Sequence, residues 1–269
     1  MAVDFVNLLK KMYICGDLLI VNQQKSGEME KSVFKYYIEP KLVDFTGRIS
    51  VSSIFGLILG AAGEDAHNRG FGVEALAQNN SGWVLSRICF ELDSLPKKFE
   101  NVTLNTWISD YNRLSSTRNF ILYDEAGNEF GRAVSQWCML NYATRMPVDM
   151  SIMAAAHEGH MVDAPSPCER PRRLASVESE PIAEHKVAYS DIDFNLHMNT
   201  LRYIDIVFDS MPIEIPEKLN ALRMDINFVR EARYGDTLKL MSQQRDGLFD
   251  YEYRNADGDV LCRMSLEVK

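Results

Sequence analysis

From Phe34 onward the chain states one plan twice, and that repetition limits the folds open to its 269 residues more than any other feature. The first statement runs strand (34–45), helix (52–69), then four strand-like segments at 83–92, 102–110, 116–124 and 130–142. The second runs strand (184–191), helix (200–211), then segments at 222–230, 237–244, 250–255 and 260–268. Turn-forming runs, Glu125-Ala126-Gly127-Asn128 and Ala256-Asp257-Gly258, fall between the last two strands of each set, where a hairpin needs residues that accept positive φ. One helix followed by an antiparallel meander, twice over, predicts an α+β chain of two curved sheets, each wrapped around its own central helix. The repeat is one of pattern, with little identity between the copies.

The first helix supports this plan. Residues 53–63 read Ser-Ile-Phe-Gly-Leu-Ile-Leu-Gly-Ala-Ala-Gly, apolar almost all round, as a helix enclosed by a sheet should be. Gly56 and Gly60 have the small-xxx-small spacing of membrane helices, but the run is too short to cross a bilayer and reads as close approach to the sheet. Between the halves, residues 146–183 hold Pro147, Pro165, Pro167, Pro171 and Pro181 and few large apolar residues after Met153. That composition marks a linker. The expected organisation is an N-terminal extension (1–33), a first domain (34–145) left to bind a ligand chain, the linker (146–183) and a second domain (184–269) that carries the chemistry.

Composition narrows the function classes. Hydrophobic residues make up 46% and charged residues 25%, an ordinary globular balance. A formal net charge of -9 gives no electrostatic case for nucleic acid or for an anionic membrane surface. Cys15, Cys89, Cys138, Cys168 and Cys262 are odd in number and scattered, so neither a disulfide framework nor a zinc site is indicated, and a reducing cytoplasm fits. Residues 3–12 have a helical apolar pattern, yet Asp4 stands where a secretory signal is basic, and Lys10 and Lys11 interrupt any apolar core. This stretch reads as a peripheral helix, or as upstream of a true start at Met29. His157 and His160 are too close for a metalloprotease motif, and His67 and His185 read as structural.

Chemistry concentrates at residues 189–199, Tyr-Ser-Asp-Ile-Asp-Phe-Asn-Leu-His-Met-Asn, directly before an amphipathic helix. Asp193, Asn195, His197 and Asn199 occupy alternate positions, which in an extended segment sends all four side chains to one face. A carboxylate, an amide and an imidazole converging where a helix begins make an active-site arrangement. The same residues also read as a buried polar network tying strand to helix, and Asn199 suits the N-cap of that helix. At the corresponding place the first half reads Asp44-Phe-Thr-Gly-Arg-Ile-Ser50. It keeps an aspartate but has no histidine or amide there, so one active site per chain is expected.

Asp193-Phe-Asn-Leu-His-Met-Asn199, followed by Tyr203-Ile204, resembles the Asp-x-Asn-x-His-x-Asn segment of the plant-type acyl-ACP thioesterases and their bacterial relatives. Asp65-Ala-His-Asn-Arg-Gly-Phe71, Asn105-Thr-Trp-Ile108 and the run from Gly131 through Trp137 and Asn141 to Arg145 are similar to further blocks of that family. The resemblance covers nearly everything after about residue 34. It implies a tandem hotdog fold, in agreement with the two-halves reading. It also implies that Asp193, Asn195 and His197 stand on the catalytic segment and that Glu231, in Asn227-Phe-Val-Arg-Glu-Ala232, stands at the catalytic glutamate. Plant members often carry a cysteine at the next position, which is Ala232 here, so a cysteine mechanism at that site is excluded.

On this resemblance Glu231 is the general base for water, in a buried setting. His197 and Asn195 orient the water and the thioester, and Asp193 holds or polarises the network. A competing assignment makes Asp193 the base or nucleophile, as in the related 4-hydroxybenzoyl-CoA thioesterases, and Glu231 also reads as a strand-end charge paired with Arg230 or Arg233. Backbone N–H groups at the start of the helix at 200 would face the oxyanion. Ile54, Leu57, Ile58, Trp83 and Leu85 are apolar candidates for an acyl tunnel, with Asn199 at its polar end. The implied partner is acyl carrier protein with its phosphopantetheine-linked chain. Because that partner is acidic, the basic clusters Lys97-Lys98 and Arg170-Pro-Arg172-Arg173 become candidate docking surfaces. The expected activity is release of fatty acid from acyl-ACP without metal or organic cofactor. The alternatives are an acyl-CoA thioesterase with the same residues and a non-catalytic acyl-binding module. An exposed edge in each sheet leaves pairing of two chains into a homodimer open.

Overall fold

The computed structural model describes residues 30–269 apart from 79, 152–159 and 246; the readings made for residues 1–29 and for His157 lie outside the described residues. In the first half β1 (Ser32–Tyr37) leads through a 3-10 turn (Pro40–Leu42) to α1 (Val51–Asn68) and the short α2 (Val73–Ala77). There follow β2 (Ser81–Leu92), β3 (Asn101–Tyr111), β4 (Ser116–Tyr123) and β5 (Glu129–Asn141). The second half repeats this with β6 (Pro181–Lys186), a 3-10 turn (Tyr189–Asp191), α3 (Thr200–Asp209) and α4 (Glu214–Lys218). It ends with β7 (Leu222–Phe228), β8 (Thr237–Arg245), β9 (Leu248–Arg254) and β10 (Val260–Val268). The first strand of each half stops earlier than the sequence pattern suggests, because a 3-10 turn follows it. In the first half Pro40 opens that turn and has no N–H for a ladder. α2 and α4, at five residues each, are too short to show a helical period.

The strands form one ten-stranded sheet in the order β1-β3-β4-β5-β2-β7-β10-β9-β8-β6. The two expected sheets, β1-β3-β4-β5-β2 and β7-β10-β9-β8-β6, are joined edge to edge, because β2 and β7 pair antiparallel from Arg87 opposite Asn227 to Leu92 opposite Leu222. The physical reason is that each would otherwise be an edge with a row of unpaired N–H and C=O groups. On the helix face of this seam Ile88, Phe90 and Leu92 lie opposite Ile226, Met224 and Leu222. They form one core with Ile54, Phe55 and Ile58 of α1 and Ile204 and Val207 of α3. Burying each such side chain contributes about 1.5–3 kcal/mol. The glycines of α1 serve a contact other than the expected one. A Cβ on Gly56 would lie 3.3 Å from Leu201 Cδ1, and one on Gly60 would meet nothing within 4 Å, so Gly56 admits α3, not the sheet.

On the outer face, alternation puts charge at the seam. Arg223 Nη1 donates to Glu91 Oε1 at 2.7 Å, and Arg223 Nε to Asp225 Oδ2 at 2.9 Å. The linker crosses here. Arg172 gives its backbone N–H to Asp225 Oδ1 at 2.8 Å and its Nε to Oδ2 at 2.7 Å, while Asn227 donates to the Arg172 carbonyl at 2.9 Å and accepts from the Leu174 N–H at 3.0 Å. Of the candidate docking cluster Arg170, Arg172 and Arg173, the structure gives Arg172 a second occupation. Arg172 is a strap holding the linker to buried Asp225, and the Arg170 carbonyl accepts from Arg223; Arg170 and Arg173 remain exposed. Asp225→Ala leaves two guanidinium groups without their buried carboxylate and should lower stability by about 3 kcal/mol, read from urea denaturation.

Candidate active site

The segment before α3 is a closed loop, not the extended run that alternation suggested. Ile192 and Met198 form a bridge, and the Asp193 N–H reaches the His197 carbonyl at 2.8 Å. Asp193 Oδ1 accepts from the Asn195 N–H at 2.8 Å and the His197 N–H at 3.3 Å. Leu196 takes a left-handed backbone with φ 64. The period-of-two argument accordingly fails. Asp193 turns back onto its own loop, Asn195 is exposed at the tip, and Asn199 caps α3 by accepting the Leu201 N–H at 2.9 Å. The loop and the first turn of α3 also offer fewer oxyanion donors than expected. The N–H groups of His197, Met198, Asn199, Leu201 and Arg202 all donate within the fold.

Of the four, His197 meets the glutamate. His197 Nε2 lies 3.1 Å from Glu231 Oε2, and Arg145 Nη2 lies 2.8 Å from the same oxygen. Glu231 was expected to be buried but is 29% exposed, and its partners are not Arg230 or Arg233. Arg230 pairs with Asp259 at 2.7 Å, and the Arg233 N–H is bound to Asp236.

Arg145 is the residue that sequence reasoning missed. It appeared only as the last position of a family block, with no role attached. It belongs to the first half, in the loop after β5. There Asn141 Oδ1 accepts the N–H groups of Ala143 and Thr144 at 3.0 Å, and the Arg145 N–H returns to the Asn141 carbonyl at 2.8 Å. Arg145 has φ 58. A left-handed backbone costs a non-glycine residue about 1–2 kcal/mol, whereas an ion pair this exposed contributes at most about 1 kcal/mol. Stability therefore does not account for the arrangement.

The loop rests on Asp191, a buried carboxylate that sequence reading did not single out. Its Oδ2 accepts from His185 Nε2 at 2.7 Å and the Ala188 N–H at 2.8 Å, its Oδ1 from Arg202 Nε at 2.8 Å, and its carbonyl from the Asn199 N–H. Burial pushes this carboxyl up, but the bonds from Ala188, Arg202 and His185 outweigh it and hold the group below the usual carboxylate range. His185 is structural, as its sequence position suggested.

Two family models cover most of the chain: the acyl-ACP thioesterase N-terminal domain over residues 30–154 and the C-terminal domain over residues 174–268. The chain belongs to the acyl-ACP thioesterase family. A crystal structure of an acyl-ACP thioesterase from Bacteroides thetaiotaomicron superposes with a TM-score of 0.81 at 33% identity, covering 89% of this chain and 98% of that one. The 12:0-ACP thioesterase from Umbellularia californica, at 18% identity and TM-score 0.75 over 89% of this chain and 97% of that one, shares the fold. Among sequences, a chloroplastic acyl-[acyl-carrier-protein] hydrolase of Cuphea viscosissima is 26% identical over 75% of this chain, and an oleoyl-acyl carrier protein thioesterase of Coriandrum sativum 25% over 76%. The matches span 51% and 60% of those relatives' own lengths.

This thioesterase-family chain contains its own comparison, because the first half builds the same loop. Asp44 Oδ1 accepts the Thr46 N–H at 2.8 Å, the Asp44 N–H reaches the Arg48 carbonyl at 2.9 Å, Val43 bridges Ile49, and Ser50 caps α1 through the Ser53 N–H. The Ile49 N–H donates to the Pro96 carbonyl at 2.8 Å, as that of Met198 does to Ala232 at 2.8 Å. Arg48 thus stands in the place of His197, and Leu95 in that of Glu231. The Arg48 guanidinium is taken up by Asn220 Oδ1 at 2.6 Å and by the carbonyls of Glu217 and Pro216. The loop-closing aspartate and the helix cap occur in both copies, whereas the imidazole–carboxylate pair occurs in the second alone.

The expected tunnel residues are packed. Ile54, Ile58 and Leu85 are buried in the main core with Leu57 against it, and Trp83 joins a second cluster, its Nε1 donating to the Phe71 carbonyl at 3.0 Å. A cleft of about 200 Å³ opens at the first-half loop, between Phe45, Leu95, Phe208 and Ile213, and its lining includes none of His197, Glu231 or Arg145. Ala232 is buried beside the site, and burial pushes the Cys262 thiol, in the strand paired with β7, well above its ordinary value.

Two outcomes test this architecture. The bonds that depress the Asp191 carboxyl stabilise the fold fully above the ordinary carboxylate value, about pH 3.9, and are lost as pH falls through the lowered folded value. Asp191→Asn should therefore be less stable by about 3 kcal/mol near neutral pH, and its deficit in denaturant midpoint should shrink as pH falls below about 4. Leu196→Gly, which copies Gly47 of the first half, should raise the thermal midpoint by relieving up to about 1 kcal/mol of left-handed strain.

Proposed function

We propose that the chain hydrolyses the thioester of fatty acyl-ACP, releasing free fatty acid and the carrier's thiol. The observation that carries the reading is the His197–Glu231 contact at 3.1 Å, present only in the half that keeps the family's catalytic segment. Water attacks the carbonyl carbon while its proton passes to the Glu231 carboxylate. The imidazole of His197 fixes that carboxylate, and the exposed amide of Asn195 polarises the thioester oxygen. Collapse of the tetrahedral intermediate breaks the C–S bond, and the proton moves on to the departing thiolate. These steps need no metal or organic cofactor.

Asp193 is a positioning residue in this scheme. Its carboxylate closes the loop as Asp44 closes the silent one, which supports Glu231 over Asp193 as the base. The near-equal identities to the Cuphea hydrolase and the coriander oleoyl thioesterase favour no one acyl chain.

Thiol release from a panel of acyl-ACP thioesters, with matched CoA thioesters beside them, tests the reading. Fast turnover of the carrier-protein forms is expected, with Glu231→Gln and His197→Ala each slower by about 100-fold or more. Preference for CoA would move the function to the acyl-CoA class, and ligand retention without turnover would make the chain a binding module.

A further inference from the structure

We propose that Arg145 is the positioning residue of the Glu231 carboxylate, supplied across the seam by the half whose own loop carries Arg48 in place of the imidazole. The inference rests on the reading of Glu231 as the base. Arg145 Nη2 and His197 Nε2 converge on one carboxylate oxygen, Oε2, at 2.8 and 3.1 Å. Arg145 donates to Oε2 and the imidazole stands against the same oxygen, so Oε1 is left to take the proton of the attacking water. A rotating carboxylate would present either oxygen, and the charge-assisted bond from Arg145 to Oε2 opposes the exchange.

The backbone points the same way. Arg145 and Leu196 are two of the four non-glycine residues with positive φ among the described residues, and they stand on the two loops that face each other at the site. Strain of this kind gathers where a side chain must be aimed. Asn141 fixes the loop through three backbone bonds, and Arg145 itself is half-exposed, so its side chain does not serve the core. Arg230 and Arg202 are engaged elsewhere, with Asp259 and with Asp191 and Asp205.

The test compares Arg145→Ala, Arg145→Lys, Glu231→Gln and the double variant Arg145→Ala/Glu231→Gln on acyl-ACP. Arg145→Ala should lower kcat by about 10- to 100-fold through misalignment, with KM and thermal midpoint little changed. Lysine, which keeps the charge but not the fork, should recover part of the loss. The double variant should be no slower than Glu231→Gln alone, because the arginine acts only through the glutamate. Near-wild-type kcat in Arg145→Ala, or additive losses in the double variant while Glu231→Gln alone is slow, would overturn this inference and leave the glutamate reading standing. Full activity in Glu231→Gln would overturn both.

Discussion

The antiparallel pairing of β2 with β7 is the contact on which the site depends. In an antiparallel sheet, strands two places apart run in the same direction. In the order β5-β2-β7, the chain therefore leaves β5 and β7 at the same end of the sheet. Across the sheet β5 and β7 lie two strand spacings apart, about 9–10 Å, with β5 running on to Ser81 of β2 while the pairing of β7 ends at Arg87. Arg145 follows β5 and Glu231 follows β7, and they meet at 2.8 Å. The helix face of the seam is held by Phe90, Ile226 and their neighbours, and the outer face by Glu91, Arg223, Asp225 and the strap at Arg172. Slipping the seam by one residue would exchange these two faces and separate the two loops.

The two copies divide scaffold from chemistry. Closing a loop ahead of a buried helix needs a carboxylate over the backbone and an oxygen at the N-cap, and both halves supply these with Asp44 and Ser50 or Asp193 and Asn199. Arg48 and His197 occupy one place in the two loops yet do opposite work. The guanidinium binds down the chain after α4, whereas the imidazole stays at the surface against Glu231. Helix length separates the copies as well. α1 has 18 residues and α3 has 10, so α3 ends early enough for the chain after it to return to Arg48. The longer α1 carries α2 into a separate cluster with Phe71, Ile108 and Met139.

Much of this was legible in the sequence, because the strand and helix signals are local. The period of two and the turn residues located eight of the ten strands closely, and apolar crowding located α1. What stayed hidden depends on distance along the chain. Arg145 and Glu231 are 86 residues apart, and no local pattern joins them. The strap at Arg172 looked like a surface charge because the carboxylate it binds, Asp225, lies in the middle of an apolar strand, Leu222 to Phe228. The alternation of Asp193, Asn195, His197 and Asn199 suggested an extended segment, since periodicity records spacing but not φ. Only the left-handed turn at Leu196 shows that the chain doubles back.

Only one copy of the loop sets an imidazole against a glutamate, His197 against Glu231, and that bears on how such a chain can change over generations. Two identical subunits joined at the same seam would share every substitution, so any loss in one loop would be repeated in the other. Here each copy is encoded separately. The first carries Arg48 at the place of the imidazole and Leu95 at that of the acid, while Arg145 reaches from it to Glu231. A substitution in one loop therefore leaves the sequence of the other unchanged.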